Sequence, residues 1–150
     1  MSTKNVSSKA TLAARIVLGL AFFVFGLDGF LHFMPHPTST GPAADFGAAL
    51  FNTGYMFPLI KGTEVVTGAL ILSGRFVPLA LTILAPVVVN ILAFHAFLAP
   101  ATLGLPIVLA ALGIYLAWTE RAAYSPLFVA RSRDATNESL RPEAHAVPAE

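Results

Sequence analysis

Six side chains in this sequence have the types and spacing to do chemistry, and they come in pairs. Asp28 and His32 stand four residues apart, Lys61 and Glu64 three apart, and Asn90 and His95 five apart. Spacings of three and four put two side chains on one face of a helix. Carboxylates, imidazoles and an amine are the groups that move protons, and a carboxamide can orient a partner. All six lie in long apolar runs, where an ionisable group is costly and persists only with a partner or a task.

The runs themselves define the class. A chain of 150 residues suggests one domain. Charged residues make up 11% and apolar residues 56%, and an ordinary soluble domain carries about twice that charge. The composition therefore points to an all-α protein embedded in a membrane, with the lipid bilayer as its first partner. There are no cysteines, which excludes disulfides, thiolate metal sites and a thiol relay within the chain.

Four apolar stretches predict four spanning helices. The first, Leu12 to Met34, is long enough to cross a hydrocarbon layer of ~30 Å at ~1.5 Å per residue. Basic residues precede it, as in a secretory signal, but the run is too long and no small-residue cleavage site closely follows it. It is read as an uncleaved first helix. Pro35 to Asn52 is a connector broken by Pro35, Pro37, Gly41 and Pro42. Within it, Phe46, Leu50 and Phe51 share a face and predict a short interfacial helix.

The second span is expected to start near Asn52 or Thr53, either of which can cap it, and to stop at Ser73-Gly74-Arg75. The third covers about Phe76 to Leu98, with Pro86 predicting a kink one turn before Asn90. The fourth covers about Leu103 to Trp118, its Tyr115 and Trp118 suited to a membrane boundary. Residues 1–128 form the expected membrane domain. Residues 129–150 are polar, lack apolar periodicity and are expected to be disordered.

Topology follows from charge. With four spans, Lys4, Lys9, Arg15, Arg75, Arg121, Arg131, Arg133 and Arg141 fall on one side, and the two connectors of the other side hold no lysine or arginine. The positive-inside rule then makes both termini cytoplasmic, in a cell inner membrane. Asp28, Lys61, Glu64 and Asn90 are placed about 9–14 Å deeper than the outer boundary, with His32 and His95 near it. Three helices thus bring six polar groups to the outer half, which is the argument for a site. Gly26, Gly29, Gly62 and Gly68 would let the helices approach closely. Asn90 and His95 are about 140° apart around a helix, so aiming both inward needs a kink or a wide cavity; otherwise His95 faces the headgroups.

The pattern supports more than one use. The groups can satisfy one another as structural pairs, Asp28 with Lys61 and Glu64 with His32 or Asn90. A metal site has liganding types but no diagnostic spacing, since the Glu-x-x-His pairs of di-iron bundles are absent, and none is assigned. A proton relay or a polar pocket for a quinone-like ring fits the composition better, lined by some of Phe22, Phe23, Phe25, Phe30, Phe33, Phe94 and Phe97. Phe30-Leu31-His32-Phe33-Met34-Pro35 and Phe94-His95-Ala96-Phe97-Leu98-Ala99-Pro100 echo each other at two helix ends. Phosphate loops, dinucleotide glycines and nucleophile elbows are absent, and the basic residues sit where topology wants them, so nucleic acid is not an expected partner.

Over about Ala13 to Phe128 the chain resembles the DoxX and DoxX-like membrane proteins. The likeness is carried by Gly54-Tyr55-Met56-Phe57-Pro58-Leu59-Ile60-Lys61-Gly62-Thr63-Glu64, by Gly74-Arg75-Phe76-Val77-Pro78-Leu79-Ala80-Leu81, by Leu84-Ala85-Pro86-Val87-Val88-Val89-Asn90-Ile91, and by the Phe94 to Pro100 run. The resemblance implies a four-helix integral membrane protein. The family is named after subunits of a thiosulfate:quinone oxidoreductase, and some members look like partners of redox or oxidative-stress enzymes. It carries no catalytic residue over to this chain, and without cysteine there is no thiol for direct sulfur chemistry. The expectation is an accessory subunit of a membrane redox system with a pocket for a quinone-like ligand, partnered by redox-enzyme subunits or by further copies of itself. The alternatives are a proton-coupled small-solute carrier using Glu64 and Asp28, and an assembly or chaperone protein whose buried charges are structural.

Overall fold

The computed structural model describes residues 3–35 and 40–128, which are helices and their connections with no strand among them. Helix α1 is Thr3–Leu31, α2 is Pro42–Asn52, α3 is Met56–Ser73, α4 is Val77–Phe97 and α5 is Gly104–Thr119. A single turn, α6 (Arg121–Tyr124), and 3-10 turns at Pro100–Thr102 and Ser125–Phe128 complete it. The tail expected from residue 129 onward lies outside the described residues. Three stretches, Ser8–Leu31, Met56–Ser73 and Val77–Phe97, are long and apolar enough to cross a membrane. Helix α5 is as apolar but has 16 residues, about 24 Å at 1.5 Å per residue.

Helix ends follow local chemistry. Nothing in the first eleven residues breaks a helix, so α1 runs back to Thr3, well before the apolar stretch begins. At its other end it stops at Leu31 rather than Met34. His32 turns into the left-handed region at φ 51, and the Asp28 carboxylate accepts the Met34 N–H at 2.7 Å. The α3 start is also later than expected. Thr53 Oγ1 accepts the Met56 N–H at 3.0 Å, so Thr53 does act at the helix entrance but from outside it. Gly74 closes α3 at φ 70, a conformation a side chain would strain. The Arg15 guanidinium lies against Gly74, since a Cβ there would come within 2.7 Å of its Nη1. That puts a cation at the carbonyl end of α3, where the helix dipole favours it.

The helices pack in sequence, α1 on α3, α3 on α4, α4 on α5, and α5 back on α1. Leu18 and Phe22 of α1, Ile71 of α3, Ala80 and Leu84 of α4 and Leu116 of α5 form the buried centre. Apolar side chains gain little from leaving lipid for protein, so close backbone approach has to hold the helices together. Between α1 and α3 it does. Gly19 faces Leu72, Gly26 faces Val65 and Gly29 faces Lys61, an antiparallel register with glycine at each contact. At Gly68 backbone meets backbone: an added Cβ would stand 2.5 Å from the Phe23 backbone nitrogen and 2.9 Å from the Gly19 carbonyl oxygen. Gly62, expected to belong to this seam, has nothing within 4 Å of an added Cβ and is not part of it.

The two glycines should therefore respond oppositely. Gly68→Ala must push backbone against backbone and should cost about 1–3 kcal/mol, seen as a lower thermal transition in detergent. Gly62→Ala should leave that transition unchanged or raise it.

Candidate functional site

The site grows from the start of α3. Pro58 falls in its first turn, where a missing N–H costs nothing, and Lys61 and Glu64 follow on one face. Lys61 Nζ donates to Glu64 Oε2 at 2.8 Å, closing an ion pair within the helix. The carboxylate side chain is 4% exposed and the lysine 21%. The lysine stem is laid across α1 at Gly29, where an added Cβ would come within 2.5 Å of its Cγ and Cδ. Gly29 is thus the gap through which Lys61 reaches its place beside Glu64.

Helix α4 supplies the facing wall. Pro86, Val87, Asn90, Ile91, Phe94 and His95 line a cavity of about 400 Å³ that Lys61 and Glu64 line from the α3 side. His95 Nδ1 lies 2.8 Å from the Ile91 carbonyl oxygen. Because a carbonyl only accepts, Nδ1 carries the proton and Nε2 is the nitrogen left for a ligand. Both Asn90 and His95 line the cavity, although about 140° separates them around the helix.

The remaining side is α2. Phe46, Gly47 and Leu50 line the cavity, and Phe46 sits on Phe94 with ring centroids 5.5 Å apart. Phe51 meets Phe57 of α3 edge-on at 5.8 Å. The face that reads in sequence as an interfacial helix therefore also roofs the pocket. The missed lining residues, Phe46, Leu50, Phe57 and Ile60, are apolar and carry no mark of a site; only the shared face of α2 hinted at them. Of the aromatics expected to line a pocket, Phe94 does. Phe22 is in the core, and Phe30, Phe33 and Phe97 point outward, Phe97 with 84% exposure.

Four of the six chemistry-bearing residues thus meet in one cavity: Lys61, Glu64, Asn90 and His95. Asp28 and His32 are not among its lining residues. Asp28 is 3% exposed and holds Met34 just beyond the end of α1, while His32 is exposed there. Among the described residues no group of three His, Cys, Asp or Glu is placed to hold a metal ion. A larger cavity, about 510 Å³, opens between α4 and α5 with Leu18 of α1 at its back, and its polar side chains are Thr82 and Tyr124. The Tyr124 hydroxyl donates to the Pro78 carbonyl at 3.0 Å, and burial raises the phenol above its ordinary value, so that donor persists at alkaline pH. Among the described residues this second cavity has no acid–base pair. No protein-family model, curated protein or solved structure matches the chain.

Breaking the pair from one side leaves a carboxylate buried without its cation. Lys61→Met should therefore destabilise by about 3–5 kcal/mol, while Lys61→Met with Glu64→Leu should recover most of that loss. Thermal unfolding of the three proteins in one detergent checks both parts.

Proposed function

We propose that the chain is a DoxX-like four-helix transmembrane bundle of the inner membrane, with both termini cytoplasmic, serving as an accessory subunit of a membrane redox system. Its α2-side cavity takes a quinone-like aromatic ring. The observation that carries this reading is one cavity joining the Lys61–Glu64 ion pair, Asn90 and His95 to the rings of Phe46, Phe57 and Phe94. Aromatic faces suit a flat ring, and polar groups on opposite walls suit oxygens at its two ends. The volume of about 400 Å³ falls in the range of small-molecule pockets, about 300–1,000 Å³. Helix α5, the fourth span on this reading, is short enough to draw the bilayer thinner around it. Arg15, Arg75 and Arg121 then share the cytoplasmic boundary, and the cavity lies in the opposite, outer half. Redox-enzyme subunits or further copies of the chain would complete the assembly.

A structural role for the charges has one observation behind it, the closed 2.8 Å contact between Lys61 and Glu64. On that reading Glu64→Gln lowers the amount of protein in the membrane and alters no specific activity.

Gly47 gives the discriminating variant. It lines the cavity, and a Cβ added there meets nothing within 4 Å, so a large side chain can occupy the mouth without straining the helix. Intact protein in lipid nanodiscs should bind a short-chain quinone, and Gly47→Trp should weaken that binding at least about tenfold, or about 1.4 kcal/mol, with thermal stability kept. Absence of quinone binding by the natural chain, together with unchanged membrane redox activity in Lys61→Ala, would overturn the proposal.

A further inference from the structure

The hydrogen-bonding character of the cavity walls separates the two redox forms of such a ring. Lys61 Nζ is held on Glu64 Oε2, which leaves Oε1 of the same carboxylate without a partner among the described residues. His95 is tied to the Ile91 carbonyl through Nδ1, so the neutral ring offers Nε2 as an acceptor. Among the described residues Arg15 Nε is the one sealed side-chain polar atom that lacks a partner. Glu64 Oε1 and His95 Nε2 are therefore not sealed, and both residues line the cavity. A ligand in the cavity would lie between a carboxylate on the α3 wall and an imidazole on the α4 wall, each with one acceptor that the described residues do not use.

We propose that the cavity selects the dihydroxy, reduced form of its aromatic ligand over the corresponding quinone. This rests on reading the cavity as a site for a quinone-like ring. A ring hydroxyl donates one hydrogen bond and accepts others, so two hydroxyls can satisfy Glu64 Oε1 and His95 Nε2 while accepting from the Lys61 ammonium and the Asn90 amide. A quinone oxygen only accepts. It can take the Lys61 and Asn90 donors, but it sets lone pair against lone pair at Oε1 and Nε2 and leaves both without a donor. Sites built around a ligand hydroxyl reject the analogue lacking it, because their own polar groups are then left unpaired. His95 is the specificity residue on the α4 wall, and its carbonyl tether is what fixes the nitrogen it presents.

The experiment measures equilibrium binding of duroquinol and duroquinone to the intact protein in nanodiscs, without oxygen and with dithionite holding the quinol reduced. The natural chain should bind the quinol about ten- to hundredfold more tightly. His95→Phe should reduce that preference, weakening quinol binding while quinone binding tightens as the lone-pair clash at Nε2 is lost, and His95→Gln, which keeps an acceptor oxygen, should retain more of it. Equal affinities, or tighter quinone binding, would overturn this inference and leave the quinone-like reading standing. Binding of neither compound would overturn both. Equal loss of the preference in the Gln and Phe variants would show that acceptor chemistry is not its origin. Should either variant not fold, the ratio measured on the natural chain decides.

Discussion

An ion pair held inside an apolar helix constrains everything around it. Lys61 and Glu64 satisfy each other across 2.8 Å, and that contact offsets part of what two charges cost at membrane depth. In its present geometry the lysine stem lies against glycine of α1 at the same level. With any side chain at position 29, the lysine stem would have to leave the α1–α3 seam. Gly19, Gly26 and Gly68 bring the same two helices close further along, so one small-residue seam both holds α1 to α3 and positions the pair. Helix association and site geometry share a cause.

The pair is only half enclosed by that seam. Its lysine remains 21% exposed on the other side, toward α4 and the roof made by α2. Gly41 at φ 63 and Gly54 at φ 74 bracket α2 and let the chain fold it back over the mouth, with Phe46 tilted against Phe94. On the proposed reading, a roof of aromatic and aliphatic groups above an ion pair, an amide and an imidazole suits an amphiphile, apolar in body and polar at its ends. The apolar cavity between α4 and α5 lacks such groups, which is why its greater size does not make it the better site.

Much of this was legible in the residues. Apolar length and charge-poor composition called for membrane helices, glycine and proline marked their limits, and Lys61, Glu64, Asn90 and His95 stood out by type. Their meeting in one cavity was inferable only from depth and helical face. What sequence could not carry was side-chain capture by the backbone. Asp28 looks like a partner for Lys61 by spacing and depth, yet its carboxylate accepts the Met34 N–H and ends α1 three residues early. Gly62 looks like a packing glycine by position, but the seam runs along another face and passes it by. The α2 contribution was hidden because Phe46, Leu50 and Phe57 are ordinary apolar residues whose role exists only once α2 folds over α4.

The most direct test of the proposed ligand site beside Lys61 is photoaffinity labelling. A short-chain azidoquinone would be irradiated with the natural chain in membranes and the labelled residues mapped by mass spectrometry. Labels should concentrate on Phe46 to Leu50 of α2 and Asn90 to His95 of α4, and be suppressed by excess unlabelled ligand. Labels spread along the outward faces of α4 and α5, insensitive to competition, would contradict it.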